Sequence, residues 1–155
     1  MMTLGGISYW KGPVMKMKIS REDVWAASLV DRPGSLAEKL EALSKSKVNL
    51  QFVIARREAS KPGTGVVFVT PIVGAARVRA ARKVGFAKTK TLHSLRLECT
   101  DQPGLGAKLT KILAEAGINL RGLSAAAIGR RCVVHLAFDR ATDAHKATRV
   151  LEEMA

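Results

Sequence analysis

The residues best suited to bind a small molecule occur in two copies of one short pattern: an aspartate, a variable residue, a proline and a glycine. The first copy begins at Asp31 and ends at Gly34, and the second begins at Asp101 and ends at Gly104. An aspartate can pair with a ligand ammonium group, and a glycine lets the backbone approach the ligand closely. A helix beginning here would also present free N–H groups to a ligand carboxylate. This D-x-P-G loop therefore has the chemistry to hold a zwitterion.

An asparagine stands fifteen residues beyond each of these glycines. Asn49 lies in the sequence Val-Asn-Leu and Asn119 in Ile-Asn-Leu, and the two copies keep one offset of 70 residues without a gap. Ala37 and Leu43 match Ala107 and Leu113 at that same offset. An ordered set of matches at a fixed spacing indicates an internal duplication. Each asparagine adds a donor and an acceptor to its copy.

The segments on either side of the loops predict the elements that position them. Before each loop, apolar and polar residues alternate as in a strand, with the predicted core positions Trp25, Ala27, Leu29, Leu95, Leu97 and Cys99. After each loop, apolar residues recur with a helical period at Leu36, Leu40 and Leu43 and at Leu105, Leu109, Ile112 and Ala116. We expect each loop aspartate to cap its helix, and Gly117 to end the second one in the left-handed conformation.

Each copy continues with two strand-like runs and a second helix. The runs cover residues 49–56 and 65–72 in copy one and 119–128 and 132–138 in copy two. The second helices are marked by Ala76, Ala80 and Val84 and by Ala144, Ala147, Leu151 and Met154. Residues 86–91 add a fourth strand to copy one. The predicted fold is therefore α+β, with two ferredoxin-like βαββαβ units in tandem, antiparallel sheets, and helices on one face.

The second copy has no fourth strand of its own after its last helix. The residues before copy one occupy the position that residues 86–91 hold before copy two, so we predict that residues 14–20 cross over and complete the second sheet. A bare edge there would invite aggregation. We divide the chain into an extension (residues 1–18), a first unit (19–91) and a second unit (92–155).

The duplicated pattern resembles the ACT domain, and copy two also resembles the regulatory ACT repeats of aspartate kinases. The resemblance covers almost the whole chain after Ile19. It implies a non-catalytic regulatory module that binds an amino acid where two units meet, through the loop before the first helix and the asparagine that opens the next strand. The ligand-binding residues that it implies are Asp31, Gly34, Ser35, Leu36 and Asn49, and Asp101, Gly104, Leu105, Gly106 and Asn119. It implies a free-standing sensor, such as a homodimer, or a regulatory subunit of a biosynthetic enzyme.

The outward face of the first strand in copy one favours such an assembly. Val24, Ala26, Ser28 and Val30 are less polar than their counterparts in copy two, so we expect a second copy or a partner to cover them.

Composition leaves one alternative open. The formal net charge is +13, with basic clusters on the second helix of copy one, so a ferredoxin-like module that associates with nucleic acid is the second hypothesis.

No nucleotide-binding, metalloprotease or other catalytic motif occurs, and the three histidines are scattered, so we predict no enzyme activity, cofactor or metal site. The two cysteines have no metal-binding spacing, and we expect buried free thiols. Nothing predicts a membrane segment, and we expect a cytoplasmic protein.

Overall fold

The computed structural model describes residues 15–154, which form eight strands and four helices. In chain order the elements are β1 (Met17–Glu22), β2 (Trp25–Val30), α1 (Ser35–Lys45), β3 (Phe52–Arg57), β4 (Thr64–Thr70), α2 (Ala75–Lys83), β5 (Ala87–Lys88), β6 (His93–Thr100), α3 (Leu105–Glu115), β7 (Gly122–Ile128), β8 (Arg131–Phe138) and α4 (Ala141–Glu152). The two predicted runs of β, α, β, β, α elements are both present.

The strands form two separate antiparallel sheets of four strands each. The sheet of the first unit has the order β3-β4-β2-β5 and carries α1 and α2. The sheet of the second unit has the order β1-β6-β8-β7 and carries α3 and α4. In both sheets the strand before the D-x-P-G loop is central, so the loop leaves the middle of the sheet and leads directly into a helix. The predicted tandem ferredoxin-like fold is confirmed.

Each unit has its own apolar core between sheet and helices. Trp25, Ala27 and Val67 are buried in the first unit, whereas Leu95, Leu97 and other residues of β6 and β8 are buried in the second. The alternation read from the sequence therefore assigned the inward faces of β2 and β6 correctly. Alanines at buried positions of α2 and α4 let these helices approach their sheets closely.

The crossover strand is confirmed, with bounds slightly later than predicted. β1 pairs antiparallel with β6 of the second unit, with Met17 opposite Cys99 and Glu22 opposite Ser94. Its inward side chains pack against the core of the second unit, as does Met15 just before it. Residue 14 of the predicted segment lies outside the described residues.

Two local predictions were wrong. The fourth strand of the first unit, expected over residues 86–91, is reduced to Ala87–Lys88, because only these residues pair with β2. The loop aspartates do not cap α1 and α3. The N-cap residues are Gly34 and Gly104, each in the left-handed region, and neither helix has a side-chain cap. With a glycine in the cap position, the aspartate lies three residues further back and is free for other contacts.

The helix C-termini show the expected left-handed residue in one unit and a strained counterpart in the other. Gly117 follows α3 with φ 70°, as predicted. The residue at the same repeat position in the first unit is Lys47, whose φ is 56°. A side chain with a Cβ adopts this conformation at a cost that glycine avoids.

The two units contact one another through the helix-free faces of their sheets. The ring of Phe52, on the outward face of β3, stacks on His135 of β8 with centroids 4.0 Å apart. Arg96 of β6 donates a hydrogen bond to the side chain of Gln51, just before β3. We call this contact region the seam. The second unit of the same chain therefore covers Phe52, whereas Val30 of the outward face that we expected to be covered is 61% exposed. No helix within residues 15–154 is long and apolar enough to cross a membrane.

Candidate functional site

The D-x-P-G loop of the second unit borders a cavity of about 240 Å³. Four of the residues that the sequence nominated line this cavity: Asp101, Gly104, Leu105 and Gly106. The opposite wall is the edge strand β7 together with β8, and it is built from small and apolar side chains: Leu123, Ala125, Ala126, Ala127, Cys132 and Val134. One side of the cavity is thus polar backbone and the other is apolar.

The start of α3 supplies hydrogen-bond donors to the polar side. The Leu105 amide donates to the Gln102 carbonyl, and the first amide with a helical acceptor is that of Lys108, which donates to Gly104. The amides of Gly106 and Ala107 therefore have no backbone acceptor within residues 15–154. A Cβ placed on Gly106 would meet no atom within 4 Å, so the helix start is open on this side. These amides can donate hydrogen bonds to a ligand carboxylate.

Asp101 supplies the negative charge of the same site. Its backbone amide is held by the Arg130 carbonyl at 2.9 Å, which fixes the loop across the end of β8. Its side chain is exposed and makes no ion pair within the part of the chain that the structure describes. An open carboxylate beside two open amides matches the charges of an amino acid.

The aspartate of the first loop is paired within its own unit. Arg57, the last residue of β3, places Nε 3.0 Å from Oδ2 of Asp31. Arg32 lies over the turn as well: its guanidinium donates to the Pro33 carbonyl and to the carboxylate of Glu38. The carboxylate that a ligand would need in this unit is therefore already paired.

The register of the sheets explains why the two loops differ. Arg57 lies opposite Gly65 on the neighbouring strand, and the corresponding position of the second unit is Ala127, opposite Cys132. An alanine cannot reach Asp101, so that carboxylate stays free. Leu36 of α1 packs against the first core, whereas its repeat position in α3 is Gly106. Both differences keep the second site open.

The two asparagines are placed away from the loops of their own units. Asn119 precedes β7 at the end of the sheet where β6 begins, since the Arg121 amide donates to Ala137 there. Asp101 follows the other end of β6. Asn49 stands in the same relation to Asp31, and both asparagines are exposed. The structure thus brings together Asp101, Gly104, Leu105 and Gly106 but neither asparagine with its own loop.

Two further sequence expectations concern cysteines and charge. Cys99 and Cys132 are free thiols buried opposite one another on β6 and β8, as expected for the core. Burial and the neighbouring Cys132 raise the pKa of the Cys99 thiol to about 11. Among residues 15–154, no cluster of three His, Cys, Asp or Glu side chains could hold a metal ion.

The basic residues do not all form one free surface. Arg57 and Arg131 pair with Asp31 and Glu98 across strands, and Arg77 donates to the Lys47 carbonyl. Arg57 and Arg131 remain 85% and 80% exposed although each is paired with a carboxylate, and the sequence did not predict these pairs. The partners are far apart in the chain, and no local pattern marks them.

Comparison with protein families matches one of the two units. Residues 93–155 match the family model of the ACT domain. No curated protein matches the chain. The family match therefore covers the second unit, and the likeness of the first unit rests on its fold.

Solved structures share this fold over most of the chain. Protein BT0572 from Bacteroides thetaiotaomicron is 23% identical with a TM-score of 0.70, over 87% of this chain and 89% of that one. The regulatory subunit of aspartate kinase from Thermus thermophilus, in its ligand-free form, is 15% identical with a TM-score of 0.63, over 92% and 99%. Aspartokinase III of E. coli, in complex with lysine and aspartate, is 10% identical with a TM-score of 0.54, over 92% of this chain and 33% of that one.

Proposed function

We propose that this chain is a tandem ACT-domain protein, a non-catalytic regulatory protein whose second unit binds a free amino acid. The observation that carries this proposal is the open loop of the second unit. There the Asp101 carboxylate and the amides of Gly106 and Ala107 have no partners among the described residues, whereas in the first loop Arg57 pairs with Asp31.

The cavity suits each part of an amino acid. The ligand carboxylate accepts hydrogen bonds from the amides of Gly106 and Ala107 at the positive end of α3. The ammonium group pairs with Asp101. The ligand side chain lies against Leu123 and Val134, which line the opposite wall. A volume of about 240 Å³ limits the ligand to a small molecule.

A second copy of the chain completes this site. β7 is an edge strand in the sheet of the second unit, and its Leu123 and Ile128 are 40% and 81% exposed. If two copies pair β7 with β7 around a two-fold axis, the start of one strand lies beside the end of the other. Asn119 of one copy then comes close to Asp101 of the other. This arrangement explains how the nominated loop and asparagine act together although they are apart within one unit.

The ligand regulates the protein by changing the fraction of molecules in each relative arrangement of the units. It stabilises the arrangement in which loop and asparagine meet over the arrangement in which they are apart. This stabilisation cannot exceed the difference between the binding free energies of the ligand for the two arrangements. A partner enzyme bound to one arrangement would respond to that shift. The Thermus thermophilus protein, named as the regulatory subunit of an aspartate kinase, has a length and fold that support the subunit form of this proposal. A biosynthetic enzyme that co-purifies with the chain would establish that form, and a chain that purifies alone would favour the free-standing sensor.

The test is a thermal-shift screen of the standard amino acids on the wild type and two variants. A ligand at 100 times its dissociation constant should stabilise the wild type by about 2.7 kcal/mol. Ala127→Arg places the closing arginine of the first unit in the second, and should abolish the response. Ala76→Arg adds the same charge at an exposed position of α2, which neither lines the cavity nor belongs to β7, and should keep it. An unchanged response in Ala127→Arg, or no amino acid that stabilises the wild type, would contradict the proposal.

A further inference from the structure

The cavity beside Asp101 lies where one side chain of the repeat is missing. In the first unit the second residue of α1 is Leu36, which is partly buried and packs against the core of that unit. The second residue of α3, at the same position of the repeat, is Gly106, which lines the cavity. The space that a leucine side chain fills in the first unit is therefore open in the second.

The neighbouring strand shows the same difference between the units. Ala55 of β3 is partly buried and packs against the first core, whereas its counterpart Ala125 of β7 is exposed and lines the cavity. Both alanines lie opposite a buried valine, Val67 in the first sheet and Val134 in the second. Since directly opposed residues point to the same face of a sheet, Ala125 is on the helix-side face, and α3 leaves it uncovered.

The wall that this face gives to the cavity is apolar. It consists of Leu123, Ala125 and Ala127 on β7 and of Cys132 and Val134 on β8. Asp101 is the only charged side chain among the described residues that line the cavity, and Gln102 there donates from Nε2 to Met15 Sδ at 3.4 Å. A ligand side chain that places an amide or a carboxylate against this wall would lose its hydrogen bonds to water without replacing them.

We propose that the second unit recognises an aliphatic amino acid, whose side chain takes the place of the leucine that is missing at Gly106. This inference rests on the proposed amino-acid site and names the class of its ligand. While the charged groups of the ligand are held at the start of α3 and at Asp101, its side chain covers Ala125 and removes apolar surface from water. Gly106 determines the specificity, because a larger residue there would occupy the space of the ligand side chain.

The test is calorimetric titration of the full chain with leucine, asparagine and aspartate. The side chains of these three amino acids have the same branched shape, and they differ in whether they end in methyl groups, an amide or a carboxylate. Leucine should bind at least tenfold more tightly than asparagine or aspartate, because the apolar wall offers no partner to the polar ends of those two.

Three variants test the role of Gly106. Gly106→Leu restores the side chain of the first unit and should weaken leucine binding at least tenfold. A Cβ at this position meets no atom within 4 Å and the backbone is not left-handed, so the variant should fold. Gly106→Ala adds a single methyl group and should weaken the binding of leucine more than that of alanine. The matched control, Ala37→Leu, adds a leucine at an exposed position in the first turn of α1 and should bind leucine as the wild type does.

Three results would overturn this assignment and leave the amino-acid site itself in place. The first is binding of asparagine or aspartate as tight as that of leucine and abolished by Ala127→Arg. The second is a wild type that binds another amino acid but not leucine. The third is leucine binding that both Gly106→Leu and Gly106→Ala leave unchanged. If the wild type binds no amino acid at all, the proposed function fails and this assignment fails with it.

Discussion

Oε2 of Glu22 lies 2.8 Å from Nδ1 of His135, although 113 residues separate them in the chain. Both side chains are about nine-tenths buried. Glu22 is the last residue of the crossover strand β1, and His135 is on β8 of the second unit. Because Phe52 of the first unit stacks on the same imidazole, this pair ties the crossover strand and both units together at one point.

The first prediction concerns this pair. Glu22→Ala should lower the free energy of unfolding by about 1–3 kcal/mol, since it leaves a buried imidazole nitrogen without its partner. His135→Ala should also destabilise the protein, and the double variant should lose less than the two single losses added together, with a coupling energy of about 1 kcal/mol. Urea unfolding of the four proteins measures this cycle. Strict additivity would show that the contact contributes nothing of its own.

The second prediction concerns the strained residue after α1. Lys47→Gly should stabilise the protein by about 0.5–1 kcal/mol, because glycine adopts a φ of 56° without the crowding that a Cβ causes. Glu41→Gly, at an exposed position in the interior of α1, should instead destabilise it by about 1 kcal/mol. Thermal or urea unfolding measures both changes. If both substitutions shift stability in the same direction, the conformation of Lys47 carries no strain.

The third prediction concerns Cys99 and alkaline pH. The pKa of this thiol is about 11 in the folded protein, whereas an unfolded cysteine has a pKa of about 8.5. Between these values the unfolded chain has lost the proton and the folded protein retains it, so stability falls as pH rises through this window. Below pH 8 the thiol is protonated in both states and makes no pH-dependent contribution.

Replacing the thiol tests this assignment. Cys99→Ala should show a smaller loss of unfolding free energy between pH 8 and pH 10.5 than the wild type, when both are measured by urea unfolding. The comparison between the two proteins removes the contribution of the other groups that titrate in this range. Equal losses would mean that Cys99 does not have its high pKa.

Much of the fold could be predicted from local patterns. Alternation along β6 assigned Leu95 and Leu97 to the core, and the helical spacing of Leu105 and Leu109 assigned the buried face of α3. The duplication then made a stronger prediction than either copy alone. It predicted that residues before the first copy pair with the sheet of the second, and β1 does so.

The candidate site was predictable only in part. Asp101, Gly104, Leu105 and Gly106 line one cavity, because residues so close in the chain lie together whatever surrounds them. The aspartates were wrongly expected to cap their helices, since a glycine in the left-handed conformation occupies each N-cap position. That the first loop is closed and the second is open depends on Arg57 and Ala127, which are on another strand.

The sequence by itself determined the repeat, the identity of the strands and helices, and the position of both D-x-P-G loops. These follow from spacings of a few residues, which the backbone periods of helix and strand convert directly into faces. The tertiary structure alone decided which loop is open, where Glu22 meets His135, and that β7 and the start of α3 leave a cavity between them. Such contacts depend on the register of strands that are distant in the chain, and no local pattern records that register.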